Sequence, residues 1–191
     1  GSDRRPPLVF LVNVDWFFCS HFLHLACRAR AEGWPVLIAT HFESRRDQLE
    51  REGFELVPLD ARRAGARPRG LAHSVAALRR LLAAHPGAIL HGFGLFGILV
   101  GSLAGRLAGE RRAVYTITGR GFSAVEGGAR ASAMRLATRL LCSRLADGPQ
   151  TRWLAENRTD LDETGLATAL AQRRARIVGG AGVDPVAFPL M

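Results

Sequence analysis

The sequence predicts an α/β protein: a Rossmann-like three-layer α/β/α sandwich around a mostly parallel seven-stranded sheet. Three observations predict it. Short β-rich apolar runs alternate with longer segments of helical period along the chain. The links between them are short, as they are where helices carry the crossovers between parallel strands. The first run, LVFLVNV (8–14), is apolar almost throughout, which suits a strand covered on both faces.

After that strand, Ser20 or a neighbour can cap a helix whose apolar positions Phe22, Leu23, Ala26 and Cys27 fall at helical spacing, and Gly33 ends it. PVLIAT (35–40) is the second strand. Glu43 to Glu52 reads as a charged helix closed by Gly53, and FELVPL (54–59) alternates as a strand nearer an edge. DARRAGARPRG (60–70) is an arginine-rich loop. Leu71 to Ala84 is an amphipathic helix with Leu78, Leu81 and Leu82 on one side. AILH (88–91) is the fourth strand, Leu95 to Ala108 a helix of small residues, and AVYTIT (113–118) the fifth strand. Ala129 to Leu145 is helical, TRWLAEN (151–157) holds the sixth strand, Asp160 to Arg173 is a helix, and ARIVGG (175–180) is the seventh strand. Residues 1–180 thus form one domain. Residues 181–191, with glycine and proline, read as the start of an interdomain linker, the chain stopping where a second domain would follow.

Composition narrows the function. A chain of 191 residues, 48% hydrophobic, can bury one sizeable core. No apolar stretch reaches the roughly 20 residues of a membrane span. The opening Gly1-Ser2 reads as a cleavage scar, and the residues after it lack the apolar segment of a signal peptide. Cys19, Cys27 and Cys142 are odd in number and show no C-x-x-C spacing, as expected of free thiols in a reducing cytoplasm. The net charge of +9 invites a nucleic-acid reading. All 26 basic residues, however, are arginine, beside an excess of alanine and glycine. That pattern reflects codon composition more than a polyanionic partner, and no aromatic-rich basic strand motif accompanies it. No nucleic-acid partner is expected.

Gly92, Gly94 and Gly97 spell G-x-G-x-x-G between a strand and a helix, which raises the alternative of an NAD(P)-dependent oxidoreductase; a non-enzymatic Rossmann-like binding module is a further alternative. A dinucleotide fingerprint opens the first strand–helix unit and has a carboxylate about 20 residues on. Here the glycines sit in the fourth unit, and the next strand ends in Thr116-Ile117-Thr118-Gly119. The small residues are expected instead to let the helix approach the sheet.

The segment VNVDWFFCSHFLHLACRARAEGWPVLIAT (12–40) resembles the opening of family 4 glycosyltransferases of the GT-B fold, in the branch with an N-x-D-W-F-F-x-S-H-R-x-x-L-A start that acts on lipid-linked glycans. ILHGFGLFGILVGSLAGRLAG (89–109) is similar to the family's V-H-x-x-x-x-K-x-x-x-x-G-x-x-A-A-R block. VYTITGRGF (114–122) is similar to its S-G-L-G-Y segment, WLAENRTD (153–160) to F-Q-N-x-x-D, and GAGVDPVAF (180–188) to the linker G-S-G-V-D-x-x-x-F. The resemblance implies an N-terminal acceptor-binding domain of a sugar-nucleotide-dependent enzyme, hexosyl-transferring and retaining. It implies a place in cell-surface polysaccharide or lipopolysaccharide synthesis in a bacterial cytoplasm. The C-terminal donor domain, with its E-x7-E motif and the sugar nucleotide, would lie beyond this chain. No cofactor is then expected on this domain, and the fragment alone is not expected to turn over. The implied partners are a glycan or polyprenyl-diphosphate-linked acceptor and the enzyme's own donor domain.

By the same resemblance, Asn13, Asp15, Trp16, Phe17, Phe18, Ser20, His21, Gly92 and Phe93 shape the acceptor site, the aromatic rings suiting a sugar face or a prenyl chain. His91 ends the fourth strand, where the family places a histidine. It is the candidate catalytic residue, hydrogen-bonding acceptor or reacting sugar. Thr118, Gly119, Arg120 and Gly121 could converge on a phosphate, or form a plain turn. Glu156 and Asn157 are expected to line the cleft. Phe96 stands where the family has a lysine, a departure that points to a more apolar acceptor, and Glu156 stands where relatives commonly have glutamine. His21 and His24 lie a turn apart, yet no further ligands converge, so no metal is expected. The Arg62–Arg69 run reads first as a solvated loop and alternatively as a peripheral contact with the inner face of the cytoplasmic membrane.

Overall fold

The structure is a computed structural model that describes residues 5–60, 68–109, 112–118 and 128–180. The Arg62, Arg63 and Arg67 run, the Gly119–Gly121 turn and residues 181–191 lie outside the described residues.

Seven strands form one sheet: β1 (Leu8–Val14), β2 (Val36–His41), β3 (Glu55–Pro58), β4 (Ile89–Phe93), β5 (Ala113–Ile117), β6 (Thr151–Ala155) and β7 (Ala175–Ile177). Their order is β3-β2-β1-β4-β5-β6-β7, and every pairing is parallel, not merely most of them. The order reverses between β1 and β4. Chains leaving those two neighbours cross to opposite sides, which opens a crevice at their carboxyl ends.

The period-two alternation of β1 sorts its side chains into two cores. Val9 and Leu11 join Leu37, Leu90, Tyr115, Ile117 and Trp153 on one face, under α4 (Pro68–Ala84), α5 (Gly94–Ala108), α7 (Arg158–Glu163) and α8 (Ala167–Ala171). Phe10 and Val12 join Phe18, Phe22, Ile38, Leu49 and Phe93 on the other, under α1 (Asp15–His21), α2 (Leu23–Ala31) and α3 (Arg46–Arg51). This second layer ends at β4. Beyond it, the same face of the sheet carries the half-buried His91, Val114, Thr116 and Leu154 and the exposed Arg152.

Three predicted helices are interrupted. The first begins at Asp15, directly after β1 and well before Ser20, and breaks at Phe22, whose φ of −129° is not helical. The segment 129–145 is α6 (Ala129–Leu140) running into one wide π-helical turn, Leu141–Ala146. That turn ends where the Arg106 guanidinium donates to the carbonyls of Leu145 and Arg144, at 2.9 and 3.2 Å. The segment 160–173 is two short helices parted at Gly165, whose φ of +76° suits glycine. Among the described residues no helix is long and apolar enough to cross a membrane.

The glycines of 92–97 have a packing explanation. A Cβ on Gly97 would stand 2.9 Å from the Gly92 carbonyl carbon and 3.1 Å from the Leu11 oxygen, and one on Gly92 would stand 2.9 Å from the Tyr115 ring. The first turn of α5 therefore rests directly on β4 and β1. Close helix–strand packing is also what the third glycine of a dinucleotide turn provides, so what sets this motif apart is its place in the fourth unit, where the neighbouring β5 leads into Thr118 with no carboxylate.

Candidate functional site at the carboxyl edge of the sheet

A hollow of about 100 Å³ opens at the carboxyl ends of β4, β5 and β6. Phe22, His24 and Leu25 from the α1–α2 junction form one wall. His91 and Phe93 of β4 and Thr116 and Thr118 at the end of β5 form the floor. Leu154, Ala155 and Glu156 of β6 with Val178 and Gly180 after β7 form the far wall. The lining is largely apolar, with His24, His91, two threonines and Glu156 as its polar side chains.

The floor is a stack of rings. His91 lies 4.2 Å from Phe93 and 5.5 Å from Phe10, centroid to centroid, and Phe93 lies 4.1 Å from Phe22. Nε2 of His91 meets the Thr116 hydroxyl at 2.8 Å across the β4–β5 pair. Burial disfavours the imidazolium, and the pKa of His91 is pushed down to about 4. At neutral pH the ring is therefore uncharged. It can donate or accept one hydrogen bond, but it does not arrive carrying a spare proton.

Of the predicted residues, the fold brings His91, Phe93, Thr118 and Glu156 together around this hollow. It uses others elsewhere. Asp15 is fully buried. Its Oδ2 accepts from the backbone N–H groups of Glu43, Ser44 and Arg45 at 3.1, 3.0 and 2.7 Å, and Oδ1 accepts from that of Trp16 at 2.8 Å. The carboxylate thus fastens the β2–α3 loop instead of facing an acceptor, because three converging N–H groups satisfy an anion better than an open cleft does. Phe18 is fully buried, its ring 5.6 Å edge-on from Phe10, and belongs to the core. Asn157 caps α7: its side chain accepts from the Asp160 N–H at 2.8 Å and donates to the Asp160 carboxylate at 3.0 Å.

The other predicted residues that the structure describes do not line the hollow. Asn13 is half-buried near the end of β1, and Gly92 is buried under α5. Trp16 and Phe17 are half-buried on α1, with the Trp16 indole donating to Glu43 at 3.1 Å. Ser20 and His21 are exposed; the Ser20 hydroxyl returns to the Trp16 carbonyl at 2.9 Å and meets His21 Nδ1 at 2.8 Å. Sequence reasoning passed over Phe22, Leu25, Leu154 and Val178. The signal was present at Phe22, which stands where the resembled opening has arginine. Among the described residues no cluster of three or more His, Cys, Asp or Glu side chains is arranged to hold a metal.

No protein of curated function matches the chain. Among solved structures it is similar to HepE of Anabaena, in complex with UDP and glucose, at a TM-score of 0.64 and 14% identity; the match covers 94% of this chain and 45% of that one. It is also aligned with MurG of Acinetobacter baumannii at 14% identity over 95% of this chain and 68% of that one, with a TM-score of 0.47 too low to establish a likeness. The chain thus spans less than half the length of HepE, whose likeness here is one of fold. The family model described as glycosyl transferase 4-like matches residues 8–147, which runs from β1 to the end of the π-helical turn. The chain belongs to the glycosyl transferase 4-like family.

Proposed function

We propose that this chain is the N-terminal, acceptor-binding half of a sugar-nucleotide-dependent glycosyltransferase. The enzyme passes a hexose-type sugar, with retention, to a lipid-linked glycan during cell-surface polysaccharide or lipopolysaccharide synthesis. Residues 1–180 make up this half, and 181–191 lead to the donor half that carries the sugar nucleotide. The observation that carries the reading is the hollow at the switch-point edge, its walls apolar and its floor holding the His91–Thr116 pair. Substrates of open parallel sheets sit at this edge.

In this reading the aliphatic part of the acceptor packs against Phe22, Leu25, Leu154 and Val178. The neutral His91 ring, steadied by Thr116, orients the hydroxyl that receives the sugar. In this reading His91 contributes position, because burial pushes its pKa down to about 4 and so makes the ring a weak base. Closure of the second half over this edge excludes water, so that the sugar passes to the acceptor and not to solvent.

Titration of the 15N-labelled chain with geranyl diphosphate tests this. The expected result is a set of shifts at Phe22–Leu25, His91–Phe93 and Leu154–Glu156 that inorganic pyrophosphate alone does not produce. Shifts at another surface, or equal effects of both compounds, overturn the assignment.

A further inference from the structure

One helix, α6, has its sides reversed. A helix laid on a sheet ordinarily turns its apolar stripe inward and its polar residues to water. The inward side of α6 is narrow and small: among its described residues only Ala131 and Thr138, two turns apart, are buried. On the opposite side Ala129, Ala133, Leu136 and Leu140 follow at spacings of four, three and four, which sets them in a single stripe. All four are exposed, Leu136 by 59% and Leu140 by 49%. Contiguous apolar surface with a polar rim marks a contact site.

The rim says what the contact is with. By helical position Arg135 and Arg139, both exposed, run along one border of the stripe. Residues 127–146 hold arginine at 130, 135, 139 and 144, and no aspartate or glutamate. Arg135 donates to the Ser132 hydroxyl of its own helix at 3.0 Å, a bond that leaves its charge in place. A second copy of the chain is a poor fit to this surface. Pairing α6 with itself sets arginine beside arginine with no acid in the segment to answer it. One stripe of two leucines and two alanines also falls far short of the roughly 800 Å² per partner of a stable interface. An anionic bilayer meets both demands, since leucines enter the boundary of the acyl region while arginines stay among the headgroups.

We propose that the outer face of α6 is a peripheral docking surface for an anionic lipid bilayer. The helix lies in the plane of the surface, with Leu136 and Leu140 inserted and Arg135 and Arg139 at headgroup level. The contact stands on α6 alone and goes beyond the acceptor site proposed above.

Sedimentation of the chain with two kinds of vesicle tests this: phosphatidylcholine alone, and phosphatidylcholine mixed with phosphatidylglycerol. The expected result is binding to the mixed vesicles that weakens as salt is raised. Binding to the neutral vesicles should be weaker by roughly tenfold or more, each arginine near the surface contributing about fivefold. Leu136→Gln/Leu140→Gln alters exposed side chains, so its thermal midpoint should hold while binding to mixed vesicles falls roughly tenfold. Arg135→Gln should weaken that binding about fivefold. No binding to mixed vesicles, equal binding to both kinds, or unchanged binding in the leucine variant overturns the proposal. So does a dimer in lipid-free solution that the leucine variant abolishes, which gives the face to a second copy. Should the leucine variant not fold, Arg135→Gln and the vesicle comparison on the unaltered chain decide. The vesicles carry no diphosphate, so this result and the titration at the hollow can fail separately.

Discussion

Asp15 carries more of the local architecture than its size suggests. Four backbone N–H groups depend on one buried carboxylate. Asp15→Ala should lower unfolding stability by on the order of 3 kcal/mol in urea denaturation. Asp15→Asn should not restore it, because an amide nitrogen would then face an N–H group. His91 acts through burial instead. Its folded pKa of about 4 lies below the exposed value of 6.5, so between those pH values the unfolded chain binds the additional proton. Its contribution is intact above pH 6.5 and is lost as the pH falls towards 4, at most about 3 kcal/mol. His91→Gln should flatten the stability profile over that window in pH-dependent thermal melts. The thiols are guarded in the same way: burial pushes Cys19 up to about 11 and Cys142 up to about 12. Labelling by iodoacetamide at pH 7.5 should be far slower than for free cysteine. The sequence marked Asp15 by its motif but not its purpose, since a carboxylate beside a strand end reads alike whether it meets ligand or backbone. Only the return of Glu43–Arg45, 28 to 30 residues on, distinguishes the two.

Among the elements, α5 is the one held by absence of side chains. Gly97→Ala would force a methyl to within 2.9 Å of the Gly92 backbone, and the sheet cannot yield there as a flexible side chain can. The expected cost is about 1–3 kcal/mol, read as a lower thermal midpoint. The same reasoning was open to the sequence, where glycines in the fourth unit with no carboxylate to follow already argued for close packing. The breaks at Phe22 and Gly165 were less legible. Apolar spacing continues across both, and the period that reveals a helix does not reveal where its backbone leaves helical geometry. Phe22 turns out to matter most here. The bend lays its ring 4.1 Å from Phe93 and brings Leu25 to the hollow. A straight helix from Asp15 would carry these groups along a different line.

At the scale of the molecule, strand order was the inference that sequence could reach only through resemblance. Alternation predicts a parallel sheet, yet many orders satisfy it, and the reversal between β1 and β4 is set by which helix crosses which face. That reversal is why residues from the first and fourth units meet at one edge. A cavity of about 320 Å³ between α5 and the π-helical turn, lined by Gly101, Gly105, Tyr115 and Ala146, had no signature in the sequence, because it arises from the spacing of two elements that no residue pattern announces. The Asp15 fastening has a mechanical corollary. Because α1 and the Glu43–Arg45 segment share one anchor, a displacement of α1 by a guest at Phe22 would be passed to that outer segment, like a latch moved from its far end. Ser44 is exposed and the native thiols are guarded, so a dye on Ser44→Cys should change emission when geranyl diphosphate enters, and Asp15→Ala should uncouple the signal.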